Sequence, residues 1–103
     1  MSDVPEPALE AVPIDVVLAA LADPVRLRFV RALDAAGDWV CGSDALRETG
    51  VTIGKSTLSY HVKALREAGL IRTRVQGTRR LVTLRYEELG QRFPGLLDLI
   101  RDR

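Results

Sequence analysis

The chain has 103 residues, 47% of them apolar, and a formal net charge of +1: enough core for one small domain, with no overall bias toward a polyanion. Its single cysteine excludes an internal disulfide framework and any multi-thiolate site within one chain, and fits a reducing, cytoplasmic setting. No apolar run approaches the roughly 18 residues of a membrane span, and the acidic start lacks the basic opening of a secretory signal.

Residues 1–12 carry Asp3, Glu6 and Glu10 among prolines and read as a flexible acidic tail. The folded domain is expected over 13–103. Its first helix opens at Pro13, a residue suited to a first turn, and sets Ile14, Val17, Leu18 and Leu21 at helical spacing. Asp23-Pro24 is a second helix start, an acidic cap followed by proline, and Gly37 is its stop. Arg26, Arg28 and Arg31 on that helix read as a solvated face. Trp39-Val40-Cys41 is a short extended piece. Ser43 then caps a third helix that ends at Gly50.

A fourth helix is predicted over 55–68, with Gly69 as its C-terminal stop. On a wheel of about 100° per residue, Leu58, Val62 and Leu65 fall together with His61 beside them. Ser56, Ser59, Tyr60 and Lys63 fall opposite. Ile71 to Val75 alternates as a half-buried strand should, and Arg80 to Leu84 returns from a Gln76-Gly77-Thr78 tip. Tyr86 to Leu89 is a linker or helical turn. A last helix follows Phe93-Pro94-Gly95 and carries Leu96, Leu97 and Ile100 on a broad apolar stripe.

The charge is unevenly placed. Residues 1–24 hold five acids and no Lys or Arg, whereas Lys55 to Arg85 holds eight Lys or Arg against the single acid Glu67. A basic helix followed by a basic hairpin implies a mainly α, winged helix-turn-helix architecture: about five helices and a two-stranded wing that grip DNA. Ser56, Ser59 and Tyr60 suit base edges or phosphates, Lys55 and Lys63 suit phosphates, and Arg74, Arg79 and Arg80 suit backbone or minor-groove contacts. The helix at 55–68 is expected in the major groove and the wing at 72–84 on the backbone or in the minor groove.

The segments Leu21 to Leu33, Ser56 to Leu70 and the Gly77 to Arg80 wing resemble the ArsR/SmtB family of bacterial winged-helix repressors. The resemblance spans roughly residues 14–100. It implies a homodimer joined through the first and last helices, with Ile14, Val17, Leu18, Leu21, Leu96, Leu97 and Ile100 at the interface. It also implies repression at an inverted-repeat operator, released by an inducer. By motif position, Ser56, Ser59 and Tyr60 match the family's DNA-facing residues.

Two departures stand out. The turn around Thr52-Ile53 is about two residues longer than the usual form, and Tyr60 stands where many members carry His. The family's metal sites do not carry over, because Cys41 stands alone, Asp98 and Asp102 have no histidine beside them, and the one His is on the fourth helix. No metal or cofactor is therefore expected. Cys41 reads as a half-buried small hydrophobe, His61 as a packed, hydrogen-bonded residue, and Trp39 as cover for the core edge.

An enzyme is disfavoured by the lack of a phosphate loop, a nucleophile elbow or a spaced His–carboxylate pair. The competing reading is a winged helix used only for protein contact. Such a module would tend to replace Lys63, Arg79 and Arg80 with apolar or acidic residues, and this chain keeps them.

Overall fold

The computed structural model describes residues 2–101, so Asp102 lies outside the described residues. In chain order the elements are strand β1 (Ser2–Val4), a 3-10 turn (Leu9–Ala11), helices α1 (Ile14–Ala22) and α2 (Pro24–Ala36), strand β2 (Val40–Cys41), helices α3 (Gly42–Thr49) and α4 (Lys55–Glu67), strands β3 (Ile71–Gln76) and β4 (Arg79–Leu84), and helices α5 (Tyr86–Arg92) and α6 (Leu96–Ile100). The helix boundaries follow local chemistry. The Asp23 carboxylate accepts from the N–H groups of Val25 and Arg26 at 2.8 and 3.1 Å, which caps α2, and Gly37 closes it at a φ of 76°. The third helix begins two residues earlier than expected. Gly42 is its first residue, and Ser43 lies inside the first turn rather than capping it.

The end of α4 decides where the wing begins. Leu70 N–H reaches back to the Leu65 carbonyl and Gly69 N–H to that of Arg66, at 3.1 and 3.0 Å. Both leucines are fully buried, so the apolar contact that accompanies this C-terminal motif is present. Gly69 adopts a φ of 77°, and a Cβ there would lie 2.6 Å from Leu9 Cδ1. Only glycine therefore meets both the backbone and the packing requirement. The chain leaves directly into β3, turns at Gly77-Thr78, and returns as β4 with Gln76 opposite Arg79. Gly77, at a φ of 62°, occupies the first position of this two-residue turn, where a II′ hairpin needs it.

The sheet is larger than a two-stranded wing. Its order is β1-β3-β4-β2, antiparallel throughout, with Val4 opposite Thr73 and Val40 opposite Val82. The wing hairpin is thus flanked by the chain's own start on one edge and by the strand before α3 on the other. Among the described residues there are six α-helices rather than about five, because Tyr86–Arg92 forms a helix of its own. Phe29, Val30 and Leu33 from α2 pack with Leu65, Leu70, Ile71, Val82, Leu84 and Leu89 in one core.

The segment 1–12, expected as a loose tail, is drawn into the fold over its described part. Ser2–Val4 pairs with β3, and Leu9 and Val12 are core residues. Arg85, itself buried, donates to the Pro7 carbonyl at 2.8 Å and to Glu88 at 2.9 Å. Of the α2 arginines, Arg26 is half-buried while Arg28 and Arg31 stay exposed, and two of the three find backbone partners. Arg26 donates to the Ala20 carbonyl at 2.7 Å, and Arg31 to that of Ile100 at 2.8 Å. Both reach the exposed carbonyls of a helix end, which offer acceptors that the helix itself does not use.

Candidate nucleic-acid interface

The face of α4 opposite its apolar side is open. Lys55, Ser56, Ser59, Tyr60 and Lys63 are all exposed, Tyr60 at 65%, while Leu65 and His61 turn inward. Lys63 pairs with Glu67 at 3.9 Å, and both side chains are largely in solvent, so the pairing is weak and screened. Arg79 and Arg80 are exposed where β4 leaves the hairpin tip. Lys55, Ser56 and Ser59 of α4 line one side of a concavity of about 690 Å³, with Thr78, Arg79 and Arg80 of the wing on the other. Hydroxyls and cations from two elements therefore converge on one trough, which suits a phosphate backbone beside a helix seated in a groove.

The remaining basic residues of the segment behave differently. Arg72 is paired with Glu6 at 3.2 Å and with Glu88 at 2.7 Å, and Arg85 with the same Glu88. Burial pushes the Glu88 carboxyl up, but the Arg85 hydrogen bond and the two guanidinium charges outweigh it and hold the group below the usual carboxylate range. Arg72 and Arg85 thus spend their charge on the fold. Arg74 is half-buried, with its guanidinium 4.1 Å above the Trp39 ring. That stacking occupies Trp39, and since the exposed Arg72 is held by Glu6 and Glu88, Arg79 and Arg80 are the wing's cations that line the trough.

Cys41 borders the same trough from the start of α3. Its Sγ lies 3.2 Å from Ser43 Oγ. This hydrogen bond holds the thiol below its ordinary value against the opposing effect of partial burial, helped by the N–H groups of Ser43 and Asp44. Sequence patterning did not bring Cys41, Ser43 and Thr78 to this trough. The Val40–Val82 pairing does so, by pulling the start of α3 under the wing. A second groove, of about 720 Å³, runs between α2 and α3 over Ala32, Ala35 and Ala36, away from the basic face. Among the described residues no three His, Cys, Asp or Glu side chains converge as metal ligands would. No helix there is long and apolar enough to cross a membrane.

The residues expected at a dimer interface divide into two sets. Val17 is 0% exposed, and Leu21, Leu96 and Ile100 are also buried in their own chain. Val17 has no surface left for a partner, and the other three have little. Ile14 and Leu18 remain exposed on α1, joined by Val16 and by Leu99, which is 72% exposed, while Leu97 is half-buried. The expected set took apolar positions from both helices together, and the folded chain uses several of them for itself.

Residues 21–74 match the family model of a helix-turn-helix domain. The chain is 36% identical over 85 residues to the HTH-type transcriptional regulator YceK of Bacillus subtilis (strain 168), covering 82% of each. Among solved structures, the homodimeric winged helix-turn-helix DNA-binding domain of a possible ArsR-family regulator from Mycobacterium bovis superposes with a TM-score of 0.65 at 25% identity, over 84% of this chain and 76% of that one. The transcriptional repressor BigR from Xylella fastidiosa does so with a TM-score of 0.63 at 26% identity, over 87% and 88%. With the basic helix-and-wing trough in the same fold as these structures, the chain belongs to the helix-turn-helix transcriptional regulators, DNA-binding proteins rather than enzymes.

Proposed function

We propose that this regulator is a homodimeric, sequence-specific repressor. It seats α4 in the major groove of an inverted-repeat operator and lays the wing on the adjacent backbone or minor groove. The observation that carries the reading is the trough in which Lys55, Ser56 and Ser59 face Thr78, Arg79 and Arg80. Ser56, Ser59 and Tyr60 read or approach base edges in this scheme, and Lys55, Lys63, Arg79 and Arg80 neutralise phosphates, with Arg74 supporting the wing. The homodimeric Mycobacterium bovis domain and the BigR repressor support the assembly and the direction of regulation. The exposed apolar side chains Ile14, Leu18 and Leu99 supply a surface for the second copy.

Fluorescence anisotropy tests the reading, using the duplex upstream of the protein's own coding sequence against a scrambled duplex at about 150 mM salt, where non-specific binding is weak. Together with an in vitro selection from random duplexes, it should reveal a preferred sequence bound about 10³-fold more tightly than the scrambled one. Equal, weak binding to every duplex would sink the sequence-specific reading.

A further inference from the structure

His61 is the buried polar residue of α4, only 8% exposed, and it directly follows the solvent-facing Tyr60. Its Nδ1 lies 3.3 Å from the Arg26 guanidinium. A guanidinium has donors only, so Nδ1 accepts and the ring proton is on Nε2. The same guanidinium donates through Nε to the carbonyl of Ala20 in the last turn of α1. One planar, rigid group therefore spans the end of α1 and the inner face of α4 from the first turn of α2. The backbone N–H of Arg26 is in turn held by the Asp23 cap.

On the other side of His61, the ring meets Tyr60 edge-on, with centroids 5.6 Å apart and planes at 64°. Tyr60 is itself 65% exposed, and among the described residues the His61 ring is the aromatic group it meets.

The geometry points to Arg26 as a positioning residue for DNA recognition. By fixing His61 it sets the direction of the Tyr60 ring, without touching DNA itself. This inference rests on the DNA-binding role of α4. It adds that sequence discrimination depends on a side chain in a different helix that does not line the trough. Lysine could not substitute, because an ammonium lacks the fork that holds the Ala20 carbonyl and His61 Nδ1 at once.

The test uses the full chain and a duplex selected from a random pool by the wild type. Arg26→Ala should lower the ratio of selected to scrambled affinity about tenfold, the scale of one base pair read wrongly. Affinity for the scrambled duplex should stay within about twofold, since the phosphate-facing cations are untouched. Arg26→Lys should behave like Arg26→Ala. In a Tyr60→Ala background, Arg26→Ala should cost no further discrimination, because the two act through one ring.

A folded Arg26→Ala protein with an unchanged ratio, or full additivity with Tyr60→Ala, would overturn the proposal while leaving DNA binding intact. If Arg26→Ala does not fold by circular dichroism, His61→Phe carries the same expectation, since it keeps the Arg26–Ala20 bond and removes only the acceptor. A wild type that selects no sequence overturns the recognition reading itself, and this inference with it.

Discussion

Arg79 and Arg80 leave the hairpin tip in solvent, beside the first turn of α4. Each phosphate they neutralise releases about one counterion, so the double substitution Arg79→Ala, Arg80→Ala should weaken binding to every duplex alike. The slope of log affinity against log salt should fall by about one unit for each phosphate no longer neutralised, read from anisotropy titrations over a range of salt. Arg72→Ala should do much less to DNA affinity, because Glu6 and Glu88 already hold that guanidinium.

Tyr86 offers a second residue-scale test. Burial, then the nearby Asp34 charge and hydrogen bond, push its phenol up to about 12. A raised value means that the neutral phenol is favoured by the fold. This stability is present below the unfolded value of about 10 and is lost as pH rises toward the folded value. The melting temperature of wild type should therefore converge on that of Tyr86→Phe between about pH 9 and pH 12. A constant gap across that window would remove the account.

Among elements, the acidic start of the chain has the most unexpected place. Leu9 and Val12 bury in the core, Glu6 pairs with Arg72, and Ser2–Val4 forms the outer strand beside the wing. Deleting residues 1–12 should therefore lower stability by several kcal/mol, the scale of removing two buried aliphatic side chains. Deleting residues 1–5 keeps both and should cost far less. Thermal melts of the two truncations separate these outcomes, and equal melts would mean that the 3-10 turn contributes nothing.

Elements differ in how far their causes lie along the chain. Asp23-Pro24, Gly37, Gly69 and the Gly77 turn were legible because a cap, a left-handed stop or a tight turn is decided by a few neighbouring residues. The 3-10 turn and β1 were not legible. Their stabilising partners, Gly69, Arg85 and β3, lie far along the sequence and leave no periodic trace.

For the whole molecule, the question is which apolar surface a second copy would cover. Leu18 is 49% exposed and Leu99 more so, whereas Leu96 and Ile100 are already inside. Leu18→Glu and Leu99→Glu should leave the fold intact, halve the mass seen by light scattering and weaken operator binding, since two half-sites are then no longer held together. Leu96→Glu and Ile100→Glu should instead lower the melting temperature, because each places a charge in the core. A dimer that survives both surface substitutions would move the interface elsewhere.

Local chemistry was enough to set the helix-turn-helix order, the inward and outward faces of α4 and the basic hairpin. Spacing, caps and charge act over a turn or two of chain. Four matters had to wait for the folded chain: which arginines remain for DNA, which leucines remain for a partner, how Arg26 reaches His61, and where the first dozen residues go. Each depends on groups that are distant in sequence competing for the same neighbours. The outcome of that competition is decided by packing, in which a charge or an apolar face already satisfied within the chain has nothing left to offer outside it.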